Sequence, residues 1–156
     1  MDSPRTVEGE VVAQGRKVAI AAARFNDFIV SSLLKGATAA WAERGGAAGD
    51  LLIARVPGAF ELPVVARKLA LTGKYDAVVA LGCVIRGDTP HFEYVAGECA
   101  RGLTMVSLES GLPIIFGVLT TETVEQALER AATTSMNKGG ESMDTALEMI
   151  SLMKQL

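Results

Sequence analysis

The single histidine of the chain, His91, closes the run Arg86-Gly87-Asp88-Thr89-Pro90-His91, which gathers charge and proton-transfer capacity in one place. Imidazole exchanges protons near neutral pH, with a reference pKa of about 6.5. Gly87-Asp88-Thr89-Pro90 has the make-up of a helix start that can hold an anion. Glycine lets the backbone approach, and free N–H groups with the helix dipole favour negative charge. Arg86 can add a direct ionic contact. The same residues also read as plain structure, with Thr89 as a cap, Pro90 in the first turn and His91 exposed. Asp88 disfavours an anion unless its side chain points away. Cys83, just upstream, is either a nucleophile or a small packing residue. There is no Ser-His-acid pattern, no P-loop spacing and no metal-ligand cluster.

Positioning these groups falls to four apolar runs. Lys17–Ala23 is apolar without alternation and reads as a buried strand. Leu51–Val56, Ala77–Leu81 and Pro113–Leu119 supply three more. Helical spacing fills the intervals: Ile29, Leu33, Ala37, Ala40 and Trp41 after a cap at Asn26 or Asp27, then Val64, Val65, Leu69 and Leu71 ending at Gly73. A longer helix runs from about Phe92 to Glu109 and is closed by Gly111. A short one carries Val124, Ala127, Leu128 and Ala131, with caps available in Thr120-Thr121-Glu122-Thr123. After Asn137-Lys138-Gly139-Gly140 a last helix runs to the end, apolar over a broad arc that suits either its own core or an oligomer. The alternation predicts a doubly wound, three-layer α/β/α domain over 17–156, around a four-stranded parallel sheet. Residues 1–16 form a polar arm, either disordered or an edge strand that needs a partner.

In such a sheet the loops at the carboxyl ends of the strands converge, which makes that edge the default binding site. The polar or aromatic groups there are Arg24-Phe25-Asn26, Gly58-Ala59-Phe60-Glu61 and Arg86 to His91. The fourth strand has Phe116 within it and Thr120-Thr121 at its end. Phe25 and Phe60 either stack on a planar ring or fill the core. Glu61 is a helix cap or a ligand for hydroxyl groups. Arg130 and Lys138, before the last helix, read as solvated surface charges. The residues thus reach a small, anionic, ring-bearing ligand with one acid/base histidine, and no particular reaction.

Composition narrows the class. A chain of 156 residues holds one domain with a real core. A net charge of −3 disfavours non-specific nucleic-acid binding. No apolar stretch approaches the ~20 residues of a membrane span, and the polar start Met1–Arg5 lacks the apolar core of a signal peptide. Cys83 and Cys99 have neither metal nor redox spacing, which points to reduced thiols in a cytoplasm.

Phe25-Asn26, Pro57-Gly58-Ala59-Phe60-Glu61-Leu62-Pro63, Gly82 to Val95, Phe116-Gly117-Val118-Leu119-Thr120-Thr121 and Asn137-Lys138-Gly139 together resemble the 6,7-dimethyl-8-ribityllumazine synthase family, in register from about Lys17 onward. The resemblance implies a flavodoxin-like topology. It implies a cytoplasmic transferase of riboflavin biosynthesis that acts at the penultimate step. There, 5-amino-6-(D-ribitylamino)uracil condenses with 3,4-dihydroxy-2-butanone 4-phosphate, releasing phosphate and water. No metal or organic cofactor is implied. Carried over by position, Phe25 stacks on the uracil ring, and Ala59, Phe60 and Glu61 hold the ribityl chain. Cys83, Val84 and Ile85 meet the pyrimidine largely through backbone, and Asp88 and Thr89 bind the butanone phosphate through helix N-terminal amides. Arg130 pairs with that phosphate and His91 carries protons. Phe116, Arg130 and Lys138 come from a neighbouring subunit. The family forms pentamers, in some members twelve of them closed into an icosahedral shell, and the short 131–137 connection looks like the shell-forming kind. The arm would then add a strand to a neighbour, and riboflavin synthase would be a protein partner. Asp88 is a mild departure that leaves its amide available and its side-chain role in doubt. The rivals are a non-catalytic ligand-binding cage on the same fold and a flavodoxin-like flavin carrier. The carrier would need a hydroxyl-rich phosphate loop where Arg24-Phe25-Asn26-Asp27 stands.

Overall fold

A computed structural model describes residues 2–156. Four strands, β1 (Val18–Ala23), β2 (Leu51–Val56), β3 (Ala77–Ile85) and β4 (Ile114–Thr121), form one sheet in the order β2-β1-β3-β4. Every pairing is parallel, which gives the flavodoxin-like order around β1 and β3. The helices are α1 (Asp27–Glu43), α2 (Leu62–Leu71), α3 (His91–Ser110), α4 (Val124–Ala131) and α5 (Lys138–Gln155).

Burial on both faces explains the unalternating runs of the two central strands, β1 and β3. Val18, Ile20, Ala22, Val79, Leu81 and Cys83 point to one side, where they pack with α1, α4 and α5. Ala19, Ala21, Ala23, Val78, Ala80 and Val84 point to the other, against α2 and α3. The expected three layers are therefore present.

Several boundaries move. Both β3 and β4 run further than their apolar cores, to Ile85 and Thr121, because parallel pairing continues through Ile85↔Thr121. Gly82 to Ile85 are thus strand and not connection. Asn26 and not Asp27 is the N-cap of α1, but its side chain does not cap. It sits in the left-handed region at φ 59°, and its Nδ2 donates to the Cys83 carbonyl at 2.9 Å. At α3 the capping residue is Pro90, so Thr89 is not the cap, and no side chain caps that end. Thr123 does cap α4, in a capping box with Gln126.

Gly139 and Gly140 lie inside α5 and do not precede it. Asn137 is its N-cap, at φ 46°. The reason is the crossing with α1: a Cβ on Gly139 would overlap the Leu33 carbonyl, and one on Gly36 would overlap the Asn137 side chain. The broad apolar arc of α5 is mostly used internally, with Met143, Ala146, Leu147 and Ile150 all buried.

Met1 of the arm lies outside the described residues. The rest of the arm pairs with no strand. It runs over α5, where the Glu10 N–H donates to Ser151 Oγ at 2.9 Å and Gln155 Nε2 donates to the Glu8 carbonyl at 2.7 Å. Ala13 is anchored in the core.

Candidate active site

The carboxyl edge of the sheet is laced together by backbone. The Arg24 N–H donates to the Val56 carbonyl at 2.7 Å and the Phe25 N–H to the Pro57 carbonyl at 3.0 Å. These bonds zip the loop after β1 to the loop after β2. Arg55 strengthens the same joint. Its guanidinium donates to the carbonyls of Ala22 and Ala23 and to Asp27 Oδ1 at 2.6 Å. That contact holds the Asp27 carboxyl below its ordinary value.

A shelf results. Phe25 is 71% exposed and Phe60 58% exposed, so neither fills the core. A Cβ built on Gly58 would stand 3.3 Å from Glu61 Oε1 and 3.9 Å from Phe25 Cβ. The Glu61 carboxylate and the root of the Phe25 side chain therefore flank Gly58, where a side chain would crowd the carboxylate. Ala59, in a short 3₁₀ turn, is buried beneath.

The third wall is the end of β3. Its pairing with β1 stops at Ala22↔Leu81, whereas pairing with β4 continues to Ile85. On the β1 side the backbone of the last β3 residues faces the shelf without a strand, apart from the Asn26 bond to Cys83. Cys83 and Val84 side chains are buried and Ile85 is half-buried. Burial pushes the Cys83 thiol up to about 11, which leaves it neutral and removes it as a nucleophile. What Cys83 offers the shelf is its backbone.

Beyond β3 come the exposed residues Gly87, Asp88, Thr89 and His91. A Cβ on Gly87 would meet nothing within 4 Å, so packing does not demand glycine there, and the space above that backbone is open. The start of α3 has no side-chain cap, which leaves first-turn N–H groups available to an anion. Arg86 does not stand free beside them, as its sequence position suggested. It is engaged by Glu93 and Glu122, at 3.1 and 2.8 Å.

Phe116, Arg130 and Lys138 are elsewhere. Phe116 pairs with Ala80, in the middle of the sheet. It lies five residues, or roughly 16 Å, short of the carboxyl edge at Thr121. Phe116 sits on the outer strand, 44% exposed. It lines an open cleft of about 560 Å³ with Arg130, Lys138, Glu141, Ser142 and Thr145. Arg130 Nη1 donates to the Gln126 carbonyl at 3.1 Å, and Lys138 Nζ pairs with Glu141 at 2.9 Å. One chain thus brings Phe25, Ala59, Phe60, Glu61, Cys83, Val84, Ile85, Asp88, Thr89 and His91 to one edge, and leaves these three on a separate face.

Sequence reasoning named Asn26 on the rim and Glu122 as a possible cap, but it missed the contacts that Asn26, Arg55, Glu93 and Glu122 make. Only Asn26 carried a signal, since asparagine tolerates the left-handed backbone that a tight entry to a helix needs. Arg55 and Glu122 act through partners distant in sequence, and Glu93 acts through Arg86, seven residues before it.

The profile of the family described as 6,7-dimethyl-8-ribityllumazine synthase matches residues 15–154. A protein of Syntrophus aciditrophicus (strain SB) named 6,7-dimethyl-8-ribityllumazine synthase is 53% identical over 153 residues, which cover 98% of this chain and 99% of that protein. Because both matches span the shelf and the β4 face alike, the chain belongs to the 6,7-dimethyl-8-ribityllumazine synthase family.

Proposed function

We propose that this protein forms 6,7-dimethyl-8-ribityllumazine from 5-amino-6-(D-ribitylamino)uracil and 3,4-dihydroxy-2-butanone 4-phosphate, in riboflavin biosynthesis. The observation that carries this reading is the shelf itself. An exposed aromatic ring, a carboxylate, unpaired strand backbone and an uncapped helix start line one edge in a protein of this family.

In this assignment Phe25 stacks on the uracil ring, and the backbone at Cys83 to Ile85 on the side away from β4, where Asn26 already holds the Cys83 carbonyl, meets its polar edge. Ala59, Phe60 and Glu61 hold the ribityl chain, whose hydroxyls donate to the Glu61 carboxylate. The amides at Asp88 and Thr89 receive the phosphate, with Arg130 of an adjacent subunit as its counter-charge and Phe116 and Lys138 closing the pocket. Imine formation between ring amine and ketone needs protons moved, which His91 does. Loss of phosphate needs positive charge around the leaving group. Ring closure by the ribitylamino nitrogen needs chiefly that both substrates stay together. The oligomer is a ring of the family's pentameric kind, and sedimentation separates a pentamer from a closed shell. Riboflavin synthase is the protein partner to test by co-purification.

Incubating the protein with both substrates should give lumazine absorbance and fluorescence; binding without product overturns the proposal in favour of a non-catalytic cage. Because positioning does much of the work, His91→Ala lowers kcat by about 100-fold, at the low end for general acid–base groups. Complete loss of turnover in a folded, substrate-binding variant would contradict that division of labour.

A further inference from the structure

We propose that Arg86 is a positioning residue that sets the first turn of α3, and with it His91 and the anion-binding amides, against the rim of β4. The inference deepens the reading above and rests on it for the reaction, though not for the geometry. Arg86 follows the last residue of β3. Its N–H donates to the Thr121 carbonyl at 2.9 Å, which extends the strand pairing by one link. Its guanidinium then spans two elements. Nη1 donates to Glu93 Oε1 at 3.1 Å, and Nε donates to Glu122 Oε2 at 2.8 Å. The planar group also lies over the Phe92 ring, 4.5 Å from its centroid.

Phe92 and Glu93 directly follow His91 in the first turn of α3. Phe92 also packs against the core beneath α2 and α3, but among the described residues no other side-chain hydrogen bond or ion pair holds that turn to the sheet edge. Residues 86–91 are exposed, and Pro90 offers no capping side chain. Glu122 sits just past β4, so the guanidinium locks the height of the helix start against the sheet edge. Only arginine can do this. Its fork serves two carboxylates while its face stacks on a ring, and a lysine ammonium can do one or the other.

The alternative role, direct binding of the phosphate, is disfavoured by the same contacts. One cation already faces two carboxylates, so an arriving phosphate would meet local net negative charge. Both pairs hold the Arg86 pKa above its ordinary value, with the Glu93 bond as the larger cause.

The two roles predict opposite signs for the glutamates. If Arg86 positions, Glu93→Gln and Glu122→Gln each lower kcat/KM, by about 3- to 10-fold and mostly in kcat. Arg86→Met lowers it by about 100-fold, the scale of a small misplacement at a reacting centre, and Arg86→Lys recovers only part. If Arg86 binds phosphate, freeing it with Glu93→Gln and Glu122→Gln lowers KM for the phosphate substrate and tightens inorganic phosphate, which would overturn the inference. The lone histidine supplies a second readout, because its labelled imidazole gives one NMR signal. That signal shifts in all four variants if the first turn moves, and it does so whether or not the enzyme turns over. A wild type without product but with a shifting His91 signal overturns the proposed reaction alone. An unmoved signal together with an unimpaired Arg86→Met rate overturns the role of Arg86.

Discussion

Reassembled from equal amounts of an Arg130→Ala subunit and a Phe25→Ala, His91→Ala subunit, the oligomer regains about a quarter of the wild-type rate, because random pairing leaves one site in four with both halves intact. Each parent alone falls by about 100-fold or more. One loses charge-assisted contacts to the phosphate, and the other loses the ring platform and the proton carrier. The basis is the distance built into the sheet. Phe116 is level with Ala80 on the outer strand, and Arg130 and Lys138 share its cleft. Phe25, Glu61 and His91 belong to the carboxyl edge. Turnover of mixtures, measured after dissociation and renaturation, decides the matter. A mixture no faster than the mean of its parents means that each chain holds a whole site.

The largest loss of stability is expected at Gly139→Ala. The new methyl would overlap the backbone of Leu33 in α1, and backbone in a packed helix cannot rotate aside. Overpacking of this kind costs about 3 kcal/mol, which for a domain of this size lowers Tm by about 10 °C. Gly140→Ala is the control. Its Cβ would press on the Asn137 side chain, which can turn away at the cost of the cap, about 1 kcal/mol. Calorimetry on the two variants should therefore rank them clearly, and equal Tm values would mean that the crossing yields more easily than its geometry implies. Gly139→Ala also displaces Lys138 and Ser142, so it should impair the cleft beside β4 even below its melting temperature.

The sheet was legible because parallel strands buried on both faces are written as unbroken apolar runs, as at Val18–Ala23 and Ala77–Leu81. Convergence of Phe25, Phe60, Glu61 and His91 followed from topology alone. What the runs could not reveal was contact between segments far apart in the chain. Gly139 looked like a helix breaker because its reason for being glycine is Leu33, more than a hundred positions away. Arg86 looked like a free cation because Glu122 lies across the sheet edge. Asn26 looked like a cap because its acceptor, the Cys83 carbonyl, belongs to another strand. Phe116 was grouped with the rim because a strand's apolar pattern does not say how far along it the edge lies.

The two cysteines have a practical consequence. Cys83 packs with the α1, α4 and α5 layer and Cys99 with the α2 and α3 layer, and burial pushes both thiols up to about 11. At pH 7 only about one thiol in ten thousand is then ionised, and each is screened by its own half of the interior. A thiol reagent therefore labels them only when the layer above opens. The order in which the two are labelled becomes a clock for which side of the sheet loosens first.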